Sequence, residues 1–113
     1  MPSVAHPLAQ RNEVVAAVIA IEEAAKDSAA FPVVPSALPR VFRALAEDAV
    51  RATPVGLTAD QIERATGIGE TKTRNYLNEI PGILAIYAPR TVALVRLKSE
   101  GKGHAYIYRL TPA

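Results

Sequence analysis

The chain contains no cysteine, which excludes disulfides and thiolate metal sites. Histidine is almost as scarce: His6 and His104 are the only two. Neither is joined by further ligands, or by an orienting partner, at the spacing that a metal site or an activated nucleophile requires. Glu22 with Glu23, and Glu47 with Asp48, are adjacent carboxylates, and adjacent side chains diverge on a helix rather than face one another. Gly101-Lys102-Gly103 is too short for a phosphate-binding loop, whose lysine needs a longer glycine-rich approach. Catalysis, a bound metal and a cofactor are therefore not expected. Long apolar runs are missing too. The longest, Val14 to Ile21, stops at Glu22, far short of the roughly 20 residues needed to span a bilayer. Only Arg11, set against Glu13, precedes that run, a poor start for an export signal. The expectation is a soluble, cytoplasmic protein.

What is present suits one domain. The chain has 113 residues and half of them are hydrophobic, enough for a modest core. Its net charge of +2 conceals an asymmetry. Residues 1–50 carry four basic and six acidic side chains, whereas residues 71–113 carry seven basic and two acidic ones. Positive charge gathered at one end of a chain points to a polyanionic partner.

Helix punctuation is clearest after Leu57. Thr58 can cap a helix starting at Ala59, with Gln61 reaching back to complete a capping box and Leu57 stapling onto Ile62. That helix should stop near Thr66, because Gly67 offers the left-handed position that closes helices, and Ile68 gives the turn one buried side chain. Gly69 can cap the next helix, expected over Glu70 to Ile80. Thr73, Leu77 and Ile80 then share its inward face, and Tyr76 either packs beneath it or contacts a phosphate. Lys72, Arg74, Asn75 and Asn78 share its outward face. Pro81 and Gly82 are expected to end it. Ile83 to Tyr87 reads as a short third strand, although so short an apolar run does not by itself distinguish strand from helix.

From Val92 the period changes to two. Val92, Leu94 and Arg96 alternate with Ala93, Val95 and Leu97; later, Ala105, Ile107 and Arg109 alternate with Tyr106, Tyr108 and Leu110. This is a strand pair, with Tyr106 and Tyr108 on one face as packing residues or, as the alternative, a stacking platform for single strands. The intervening Lys98 to His104 holds two glycines and two lysines, a composition suited to following a phosphate backbone.

Leu57-Thr58-Ala59-Asp60-Gln61-Ile62, Ala65-Thr66-Gly67-Ile68-Gly69 and Thr71-Lys72-Thr73-Arg74-Asn75-Tyr76-Leu77, followed by the hairpin, resemble the winged helix-turn-helix family of DNA-binding domains. The likeness covers Pro39 to Leu110. Gly69 stands where that family often has Ser or Thr, and Thr73 where it often has a branched apolar residue. The resemblance implies an α+β fold of three helices and a C-terminal β-hairpin wing, here with an additional N-terminal helix. It implies sequence-specific binding of double-stranded DNA, with transcriptional regulation as the role. The DNA-contacting residues would be Glu70, Thr71, Lys72, Arg74, Asn75 and Asn78 on the recognition helix, and Lys98, Ser99, Lys102 and His104 in the wing. Arginine suits guanine and asparagine suits adenine in the major groove.

The other segments are placed around this unit. Pro39 to Ala52 is expected to be its first helix, with Phe42, Leu45, Ala46 and Ala49 facing inward and Pro39 in the first turn. Residues 39–113 form the winged domain, 29–38 a proline-containing connector, and 1–28 an N-terminal helix centred on Leu8 to Asp27. Val14, Val15, Val18, Ile19 and Ile21 cover much of that helix's circumference, which calls for burial on more than one side. It can pack back on its own domain or pair with a second copy, giving a homodimer that meets two half-sites. Two other functions fit the same sequence. One is a winged helix used for protein interaction or assembly. The other is an accessory DNA-binding role in replication, partition or a mobile element.

Overall fold

The computed structural model describes residues 7–98 and 106–112. Among these residues the fold is α+β. Helix α1 is Pro7–Lys26, α2 is Leu38–Ala49, β1 is Leu57–Thr58, α3 is Ala59–Thr66, α4 is Glu70–Tyr87, β2 is Val92–Lys98 and β3 is Tyr106–Pro112. The three strands form one antiparallel sheet in the order β1-β3-β2. No helix among the described residues is long and apolar enough to cross a membrane.

The punctuation around α3 operates as the residue types dictate. The Thr58 side chain accepts from the Gln61 amide at 3.2 Å, and the Gln61 side chain accepts from the Thr58 amide at 2.9 Å. Gly67 takes φ +74°, a conformation that costs residues with a Cβ, and its amide donates to Glu63. Two threonines make this turn satisfiable inside an apolar core. Thr66 Oγ1 donates to the Ile62 carbonyl at 2.8 Å and accepts from the Ile68 amide at 3.2 Å. Thr73 Oγ1 donates to the Ile68 carbonyl at 3.3 Å. A hydroxyl is thus acceptable inside the core, because among the described residues each buried side-chain polar atom has a partner.

Helix α4 corrects the sequence reading. It does not end at Ile80 but runs through Pro81 and Gly82 to Tyr87, so Ile83 to Tyr87 is helix and not strand. A proline inside a helix costs about 3 kcal/mol, through its missing amide hydrogen and its clash with the preceding turn. Pro81 and Gly82 are exposed, whereas Leu77, Ile80, Ile83 and Leu84 are buried. Burial of such side chains contributes about 1.5 to 3 kcal/mol each, so extending the buried face by Ile83 and Leu84 outweighs the local penalty. The effective stop is the later proline: Ala88 precedes Pro89 and leaves helical geometry at φ −142°, as a residue before proline tends to. A Cβ at Gly82 would meet nothing within 4 Å. Gly82→Ala is therefore expected to raise the unfolding free energy by about 0.5 to 1 kcal/mol, read from urea denaturation; a loss of stability would contradict a continuous α4.

The third strand lies elsewhere. It is β1, the two residues at the threshold of α3, with Leu57 opposite Tyr108 and Thr58 opposite Ile107 on β3. Helix α2 also differs from expectation, ending at Ala49 rather than Ala52. The reason is Asp48, which is buried and turns inward to accept from the amides of Val55 at 3.3 Å and Gly56 at 2.9 Å. The chain must leave the helix for those amides to reach it.

One core joins all these elements. Val41, Phe42 and Leu45 of α2, Ile62 of α3, Leu77, Ile80 and Leu84 of α4, and Val92 and Leu110 of the sheet are buried in it. Helix α1 belongs to the same cluster through Val14, Ala17, Ile21 and Ala24. Its buried residues recur at intervals of three and four, the mark of a single inward face. Arg11 donates to the Val50 carbonyl at 3.0 Å, and Glu22 pairs with Arg43. Val15 and Ile19 stay on the outside of α1, 47% and 50% exposed. The connector is held by Tyr87, whose hydroxyl donates to the Pro32 carbonyl at 2.8 Å.

Candidate nucleic-acid interface

The rotation of α4 about its axis is set by Thr73, Leu77 and Ile80, which are buried, and by the Thr73 hydroxyl bond to the turn. Tyr76 packs against the same core. That fixes what remains outside. Glu70, Thr71, Lys72, Arg74, Asn75 and Asn78 are all exposed; of these, Glu70, Arg74 and Asn78 share one cleft, which Thr71, Lys72 and Asn75 do not line. Gly69 occupies the cap position without a side-chain hydrogen bond.

The sheet supplies the second wall. Arg96 lies opposite Tyr108, and Lys98 opposite Tyr106. Alternation along strands places directly opposed residues on one face, the face that farther along carries Leu94 and Leu110 into the core. Lys98 is exposed at the end of β2. Ser99, Lys102 and His104 lie outside the described residues.

Between α3, α4 and the sheet runs a cleft of about 730 Å³ lined by Asp60, Glu63, Glu70, Arg74, Asn78, Arg96, Tyr106 and Tyr108, with Thr58 and Ala59 at its edge. Arg96 lies over the Tyr106 ring, its guanidinium carbon 4.3 Å from the ring centroid, a cation-π contact. Arg74 pairs with Glu70 at 2.9 Å and Arg64 with Asp60 at 3.1 Å, each one helical turn away. These pairs are largely exposed, so each contributes at most a few tenths of a kcal/mol to stability. Their importance is that they occupy donors on the outward face.

Arg96, Tyr106 and Tyr108 were not among the contact residues expected from sequence. Period two places them on one strand face with Lys98. It does not say that this face meets α4, which depends on how the sheet packs across the core. Asp60 and Glu63 also line the cleft, and the capping pattern of α3 carries no signal of which way its carboxylates face. Among the described residues no group of three His, Asp or Glu side chains is placed to hold a metal ion. Comparison with protein-family descriptions, curated proteins and solved structures finds no match to this chain.

Proposed function

We propose that this chain is a small winged helix-turn-helix protein that binds double-stranded DNA sequence-specifically, as a transcriptional regulator. The observation supporting it best is that Glu70, Arg74 and Asn78 of α4 line one cleft with Arg96 of β2, while Lys72 and Asn75 are exposed on the same helix. A helix of this kind enters the major groove with its exposed polar residues on base edges, while lysines and arginines on flanking elements hold phosphates. Asn75 and Asn78 are the base readers in this account, and Lys72 and Lys98 are phosphate contacts. The test is selection from a randomised duplex pool at low and near-physiological salt, followed by sequencing of the retained fraction. An enriched motif supports the reading; no retention at low salt would end it. On the enriched site, Asn75→Ala should cost about 1 to 3 kcal/mol and relax preference at one base, whereas Lys98→Ala should weaken all duplexes alike and flatten the salt dependence. Equal, sequence-independent losses for both would overturn this division of labour.

A homodimer would set two recognition helices on two half-sites, and the exposed Val15 and Ile19 on α1 favour it. In that case the selected motif is palindromic and light scattering finds two copies per particle; a monomer on a single half-site removes the dimer. A role in protein interaction or assembly is favoured by Phe31, 90% exposed, and Val33, 72% exposed, in the connector. Accessory roles in replication, partition or a mobile element share the DNA-binding step and differ in where the selected site lies in the source genome.

A further inference from the structure

We infer that the cleft between α4 and the sheet is a phosphate-contact subsite for the duplex, in which Arg96 provides a cation beside Arg74 and Glu70 is the group that the phosphate must displace. This rests on the DNA-binding reading and adds to it residues that the helix-turn-helix pattern does not designate. Arg74 on α4 and Arg96 on β2 reach the cleft from two different elements, and guanidinium groups present paired in-plane donors suited to phosphate oxygens. The Arg96 guanidinium carbon lies 4.3 Å from the Tyr106 ring centroid, a contact that uses none of its N–H donors in a conventional hydrogen bond. The Tyr106 and Tyr108 side chains line the same space, and a phenol hydroxyl can donate to a phosphate oxygen.

The opposing charges decide how such a site behaves. Among the described residues, Asp60, Glu63 and Glu70 line the cleft together with Arg74 and Arg96. Asp60 is engaged by Arg64 and Glu70 by Arg74. With these pairs made, an isolated anion meets no surplus of positive charge and gains little by entering. A phosphate held in place by a seated duplex can replace the Glu70 carboxylate on Arg74 and receive Arg96 as a second partner. Glu70 thus acts as an internal competitor that discourages phosphates not aligned by base contacts, rather than as a reader of bases.

The experiment is fluorescence-anisotropy titration of wild-type protein, Arg96→Gln, Arg96→Lys and Glu70→Gln against the selected duplex and a random one, across a series of salt concentrations. Arg96→Gln should weaken binding to the selected duplex about 3- to 10-fold near physiological salt and reduce the slope of log affinity against log salt by about 0.9, the value of one phosphate contact. Arg96→Lys should keep the slope and recover part of the affinity, because charge persists without the paired donors. Glu70→Gln should tighten binding without changing the preferred sequence, and should favour the random duplex more than the selected one. Unchanged binding in Arg96→Gln, with wild type binding normally, overturns the subsite and leaves the DNA reading standing. Loss of preference at one base in Glu70→Gln overturns the competitor role in favour of base reading. Failure of the wild type to bind any duplex at low salt removes the subsite together with the reading it rests on.

Discussion

Gly56→Ala is expected to be among the most damaging single substitutions in this chain, lowering the unfolding free energy by about 2 to 4 kcal/mol through left-handed backbone strain and overpacking. Gly56 has φ +81°, and a Cβ added there would lie 2.3 Å from Ile107 Cγ2 and 3.2 Å from the Tyr108 carbonyl oxygen. Neither neighbour can yield cheaply. Ile107 and Tyr108 are the β3 residues that pair with β1, so moving them opens the strand that leads directly into the α3 cap. Urea denaturation should show the midpoint falling. A change below about 0.5 kcal/mol, the range of ordinary surface substitutions, would contradict the close approach of this turn to β3.

The second large effect is expected at Asp48. Its carboxylate accepts from the amides of Val55 and Gly56 while almost wholly buried, with 4% exposure. Hydrogen bonds to a charged group contribute about 1.5 to 3 kcal/mol, and a buried amide left without a partner costs about 1 to 3 kcal/mol. Asp48→Ala should therefore cost about 2 to 4 kcal/mol, and Asp48→Asn less, since its one amide oxygen still accepts from one of the two amides while its NH2 group faces the other. The nearby Arg51 cannot account for such a loss: it lies 4.0 Å from the carboxylate and is 62% exposed. Arg51→Ala should change stability by less than about 0.5 kcal/mol. Thermal unfolding of the three variants separates the two explanations; if Arg51→Ala matched Asp48→Ala, the ion pair and not the backbone bonds would be holding the turn.

Both substitutions strike the link between α2 and the sheet, and this link was the part of the fold least readable in advance. Nothing in the pattern Glu47-Asp48 says that one of two neighbouring carboxylates turns inward to bind amides several residues later. By contrast, the α3 boundaries were legible because they depend on local chemistry: Thr58 and Gln61 satisfy backbone donors within one turn, and Gly67 meets a conformational requirement at its own position. The error at Pro81 has the complementary cause. Local propensity favours a stop there, but Ile83 and Leu84 find a core to bury in, and tertiary burial overrides propensity. The same distinction governs the candidate site. The exposed face of α4 could be read from periodicity alone, since Thr73, Leu77 and Ile80 define its opposite. The Arg96 and Tyr106 wall could not, because the cleft exists only after β2 and β3 have packed against the helices.

The central claim, that the outward face of α4 is the surface that meets DNA, is tested most directly by mapping backbone amide shifts of the labelled protein by NMR as a selected duplex is added. The account predicts large perturbations from Thr71 to Asn78 and at Arg96 and Lys98, with Val15, Ile19, Phe31 and Val33 unaffected apart from any contact between copies. Perturbations centred on Phe31 and Val33, with α4 unchanged, would contradict it.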